Sequence, residues 1–140
     1  MAEWINGTIE EGLKEEGARD VSLIKRGGAD RYVQRESMHY MLPTIIRCDS
    51  MSHPLGNTEF LFPYASVIEM SQPEMLGSIG KSLAVAAISN DNEWLDSLMA
   101  ADHIERLNVG PMATNHIEWD QPHEGNLFEF LYRRRSIQVA

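Results

Sequence analysis

Cysteine is nearly missing from this chain: Cys48 stands alone in 140 residues. An internal disulfide is therefore excluded, and a reducing compartment is expected. Cations are scarce as well, 12 Lys and Arg against 21 Asp and Glu, for a net charge of −9. Phosphate-backbone binding runs on an excess of Lys and Arg, so no nucleic-acid partner is expected. No apolar run approaches the ~20 residues that cross a bilayer, and no membrane association is expected. The opening "MAEWINGTIEEG" carries Glu3 and Glu10 and no basic leader, so no secretory signal is read there and a cytoplasmic location is expected. Phosphate-cradling glycine patterns are also lacking. "IKRGGAD" has a Gly pair but neither G-x-G-x-x-G nor a Walker pattern, so a complete nucleotide site is not encoded. The histidines (His39, His53, His103, His116 and His123) include no i, i+4 pair, and "PHEGN" lacks the second histidine of H-E-x-x-H; no metal site is expected.

What is present reads as globular. Apolar residues make up 43% and charged ones 24%, and this length buries roughly two thirds of its unfolded surface. Ile5, Ile9 and Leu13 recur every four residues, one stripe of a helix, with Gly17 placed to end it as a left-handed cap. "DVSLI" reads as a short strand, Ala29 to His39 as loop, and "PTIIRC" (Pro43–Cys48) as a strand opened by proline. Next come "PYASVIEM" as strand, "PEMLGSIGKS" as helix and "LAVAAIS" as strand. "NDNEWLDSLMAA" reads as a helix capped by Asn90 or Asp91, and "IERLNVG" as strand. Ala84 to Ile88 is apolar on both faces, as in a strand covered from above and below. The expected fold class is α/β, with a parallel-type β-α-β-α-β sheet built on right-handed crossovers. The expected division is a partial α/β domain over 1–111 and a loop-and-tail segment over 112–140, where "LFEFLYRRR" fits neither helix nor strand period cleanly.

A nucleophilic cysteine needs a lowered pKa from a helix N-terminus or a cation. Cys48 ends an apolar strand with Arg47 on the opposite face, so it reads as a buried structural thiol. "WDQPHEG" gathers an aromatic, acids and His123, either at a pocket mouth or in a proline-stiffened loop. Arg133 to Arg135 reads as cations at a helix end.

The stretch "LGNTEFLFPYASVIEM", Leu55 to Met70, places Glu59 beside aromatics just before a strand. An acid, three residues, then Pro63 opening a strand is similar to the E-E-x-F-G-P segment of the aldehyde dehydrogenases. Upstream "LPTIIRC" resembles that family's x-P-T strand, and "EEGARDV" its helix ending in "EGA". Downstream "SLAVAAIS" resembles its "GLAA"-like strand, and the strand ending at Asn108 follows in the same order. The resemblance runs from Ile5 to Gly110. It implies the C-terminal part of an NAD- or NADP-dependent oxidoreductase that converts an aldehyde to a carboxylic acid. It further implies that Glu59 holds the hydroxyls of the nicotinamide ribose and that Leu61 takes the place of the aromatic flanking the nicotinamide.

The departures bear on what the chain does alone. Thr58 replaces the first acid and Phe62 the glycine, and "QPHEGNLFEFLYRRR" stands where the family has P-F-G-G-x-x-x-S-G. The nucleophilic cysteine, the water-activating glutamate and the dinucleotide-binding domain have no counterpart here, and Cys48 falls too late to be that nucleophile. No catalytic residue is therefore assigned, no turnover is expected, and no cofactor is expected to bind tightly to the chain alone. An exposed sheet edge would favour a homo-oligomer or association with the missing domain. From a different class, a non-catalytic α/β interaction module derived from the same fold fits the acidic surface and the aromatic tail.

Overall fold

The computed structural model of the chain describes residues 1–118 and 136–139. The expectations placed on "WDQPHEG", His123, "LFEFLYRRR" and Arg133 to Arg135 lie outside the described residues. The fold is mixed α/β, with some strands parallel. It divides into two compact units, Met1–Met70 and Ser71–Ala140, a boundary inside the span expected as one domain.

The first unit begins with helix α1 (Ala2–Gly12), which buries Ile5 and Ile9 as the four-residue spacing requires. That helix stops at Gly12. Gly17, expected as its cap, does adopt a positive φ of 97°, but as the turn into strand β1 (Ala18–Asp20). The strand expected at "DVSLI" thus ends where it was expected to begin. The Asp20 carboxylate accepts from the N–H groups of Ser22 and Leu23 (both 3.0 Å) and turns the chain away, the local competition that makes Asp a turn former.

Residues 29–39, expected as loop, largely form a hairpin of β2 (Tyr32–Arg35) and β3 (Met38–Met41). Its faces are mostly exposed, so no apolar alternation marked it. Strands β4 (Thr44–Cys48) and β5 (Tyr64–Ile68) pair in parallel, Thr44 opposite Tyr64 through Cys48 opposite Ile68, while β1 pairs antiparallel on the far edge of β4. Ile46, Cys48 and Leu55 close the core with α1.

The second unit starts with α2 (Gln72–Ser78), where Glu74 accepts from both the N–H and the hydroxyl of Ser71. Strand β6 (Ser82–Ala87), helix α3 (Asn92–Ala100) and strand β7 (Ile104–Val109) form a parallel crossover, and β8 (Ser136–Val139) adds in parallel to β7. Of the two caps considered, Asp91 is the one used; its carboxylate accepts from Trp94 N at 3.1 Å. Leu98, Ile104 and Leu107 are fully enclosed, with Trp94 and Leu95 packed beside them.

One expectation is corrected here. The β-α-β-α-β run is not one sheet, because β5 belongs with β1 and β4 while β6 belongs with β7 and β8. Periodicity reports which positions are apolar, not which strand lies alongside. Nor is Ala84 to Ile88 covered on both faces. Ala86 is exposed and Ile88 is 77% exposed; alanine costs little at an open face, so the apolar run did not require burial there.

Candidate functional site

The arc carrying Glu59 is built from its two ends. At its root, His53 Nδ1 accepts from Leu55 N at 3.0 Å, and Leu55 is 1% exposed in the core. Gly56 N donates to His53 O at 2.7 Å, and the Thr58 hydroxyl donates to Pro54 O. At its far side Phe60 and Phe62 are half-buried against the core. Phe60 meets Tyr64 edge-on, with ring centroids 4.9 Å apart and planes at 86°, and Phe62 lies 5.9 Å from the same ring. Such edge-to-face pairs contribute about 0.5–1.5 kcal/mol beyond burial.

Burial therefore alternates along the arc. Phe60 and Phe62 go inward, whereas Glu59 and Leu61 are exposed, Leu61 by 83%. Among the described residues no hydrogen bond or ion pair engages Glu59. Its carboxylate offers two acceptor oxygens to an outside donor pair. The two residues singled out as cofactor-binding thus share one solvent-facing arc. Thr58 ties the root of the arc, and Phe62 packs its ring against the core on the far side.

Cys48 is not part of that arc. It is 1% exposed, and its Sγ lies 3.9 Å from His53 Nδ1. That nitrogen already accepts from Leu55 N, so it holds no spare lone pair for the thiol proton. Burial, and then the charge of Asp49, push the thiol pKa up, the reverse of what a nucleophile requires. Among the described residues no three of His, Cys, Asp and Glu gather as metal ligands.

A second polar centre lies in the same unit and was not found from the sequence. Asp20 Oδ2 accepts from Arg26 Nη2 at 2.6 Å and from Arg31 Nη2 at 3.0 Å, all three side chains at least nine-tenths buried. Asp20 Oδ1 takes the Ser22 hydroxyl at 2.6 Å. Arg31 also donates to Glu10 and to Asn6 Oδ1, which fastens α1 to β2. Burial alone would raise the Asp20 pKa, but hydrogen bonds from Ser22, Arg26 and Arg31 and the Arg26 charge outweigh it and hold it at about 2. A cleft of about 240 Å³ opens beside this network, lined by Asn6, Glu10, Leu23, Arg26, Asp30, Arg31 and Tyr32. The partners are 6, 11 and 21 residues apart in sequence, beyond any local pattern. The Asp-Arg pairs cross-brace the β1 turn and β2, a structural use of charge.

No protein-family model matches the chain, and no curated protein matches it.

Proposed function

We propose that this chain is the C-terminal part of an aldehyde dehydrogenase-type oxidoreductase and that the Glu59 arc forms the wall closing over the nicotinamide ribose of NAD or NADP. The carrying observation is the alternation at Glu59–Phe62: aromatics inward, an unengaged carboxylate and an apolar Leu61 outward, directly before a parallel strand. A carboxylate suits two vicinal hydroxyls, and charge-assisted hydrogen bonds of this kind are strong ones. Leu61 supplies apolar contact to a nicotinamide ring without stacking on it. In this reading the aldehyde and most of the cofactor are held by residues other than those described here, and the chain by itself performs no turnover, since Cys48 is buried with a raised pKa.

The test is a titration of the purified chain with nicotinamide riboside, followed by saturation-transfer NMR. Weak, saturable transfer to the ribose protons is expected. Its absence, or equal transfer to free nicotinamide lacking the sugar, contradicts the reading.

A non-catalytic interaction module is the second reading, favoured by one observation. Ile45 and Val67, on the outer face of the β4–β5 pair, are 43% and 51% exposed, although parallel strands are ordinarily covered on both faces. Sedimentation of the purified chain distinguishes the two. A concentration-dependent assembly abolished by Val67→Glu, with no riboside binding, selects the module.

A further inference from the structure

The sequence resemblance concerns Glu59 and Leu61, but the side chains that fix where Glu59 stands are elsewhere. Two hydroxyls on the inward row of β5 reach back to consecutive carbonyls at the root of the arc. Tyr64 Oη donates to Leu55 O at 2.9 Å, and Ser66 Oγ donates to Gly56 O at 2.8 Å. The root has little room to shift. A β-carbon at Gly56 would lie 2.6 Å from Ser50 O, 3.1 Å from His53 O and 3.2 Å from Met51 O, all backbone atoms. Tyr64 also grips the far side of the arc through its ring contacts with Phe60 and Phe62. One side chain therefore holds both ends of the short segment on which Glu59 sits.

We propose that Tyr64 and Ser66 are positioning residues for Glu59, setting the path of the 57–61 arc so that its carboxylate meets the ribose hydroxyls. This rests on the ribose reading of Glu59 given above. The geometric logic is that a carboxylate serves two vicinal hydroxyls only if its backbone is held to a fraction of an ångström, and loops gain that precision from supporting hydrogen bonds. Both tethers use hydroxyl donors and backbone acceptors, so neither depends on charge. Burial first, and the nearby Cys48 after it, push the Tyr64 phenol up to about 12 against the opposing Arg31, so it remains a donor throughout the working range of the protein.

The test uses the full chain and the variants Tyr64→Phe and Ser66→Ala, which remove only the hydroxyls, with Ser66→Thr as the rescue that keeps one. Two quantities are read: amide hydrogen exchange at Leu55 and Gly56, whose N–H groups donate at the root of the arc, relative to β4, and the affinity for nicotinamide riboside. The expected result is exchange at this arc root faster by about tenfold in Tyr64→Phe and in Ser66→Ala, with β4 unchanged. Riboside affinity falls by a similar factor, the size of one lost hydrogen bond, and both readouts return in Ser66→Thr. Unchanged arc exchange overturns the positioning role whatever the ligand does. Faster exchange with unchanged riboside affinity overturns it too, leaving the hydroxyls as loop anchors. Faster exchange in a chain whose unaltered form never binds riboside overturns the ribose reading itself, and the positioning role with it.

Discussion

The two units of this chain stabilise themselves by different means. The first buries a titratable carboxylate, Asp20, between two arginines and uses it to brace a turn, a hairpin and a helix. The second rests on helix-to-sheet apolar contact around Leu98, Ile104 and Leu107. Its described buried polar side chains, Arg106, Asn108 and Gln138, include no carboxylate. Arg106 donates to Thr114 O, and Asn108 Nδ2 to Ala113 O at 3.1 Å, which fastens the loop that follows β7. The lesson is that similar secondary structure can be held by forces that respond differently to acid. The candidate site sits in the acid-sensitive unit.

The contrast breaks most sharply at Asp20. Asp20→Asn leaves two buried guanidinium groups without their shared anion, and the expected loss is about 3–5 kcal/mol. Urea unfolding followed by hydrogen exchange should place that loss in the first unit, with the amides of β6 and β7 unaffected. Leu98→Ala makes the reciprocal cut. Leu98 is fully buried, and the expected cost is about 2–4 kcal/mol, confined to the second unit and equal at pH 7 and pH 4.

Acid titration of the unaltered chain sharpens the comparison without mutation. The folded-state pKa of Asp20 lies at about 2 against 3.8 for the free group. Its stabilisation is therefore complete above the unfolded value and disappears as pH falls from about 4 to 2. The amount at stake is roughly 2 kcal/mol. Tryptophan is of no use as a probe of the first unit's core, since Trp4 is 68% exposed; exchange at β4 amides is the better readout. Smaller still is Asp91→Ala, which removes the cap on α3 and should cost about 1 kcal/mol, read as faster exchange at the first turn of that helix.

Much of the fold was legible. The proline before β4, the β-branched run Thr44–Cys48, the Asp91 cap and the apolar spacing of α1 each act locally, and each element lies close to where those signals put it. The hairpin was not legible, because Met38 and Tyr40 are exposed at 54% and 43% and an open hairpin needs no one-faced pattern. The division of parallel strands between two sheets was hidden for another reason: pairing is a long-range property, and β5 is apolar enough for either neighbour. Glu59 and Leu61 were picked out by order along the chain, and the structure adds that both are exposed on one arc. Tyr64 and Ser66, which tie that arc, carried no sequence signal beyond their alternation on β5, since the acceptors they reach are backbone carbonyls that any residue could offer. The Asp20 centre was invisible because its side-chain partners stand 6, 11 and 21 residues apart.

The central claim, that Glu59 is shaped to hold a vicinal diol, is tested most directly by a cycle of one mutation and one ligand change. Nicotinamide riboside and its 2′,3′-dideoxy analogue are each titrated against the unaltered chain and against Glu59→Gln, whose stability should stay within about 0.5 kcal/mol because the side chain is exposed. Removing the hydroxyls should weaken binding to the unaltered chain by about tenfold or more and make little difference to Glu59→Gln. The same discrimination between the two ligands in both proteins would contradict it.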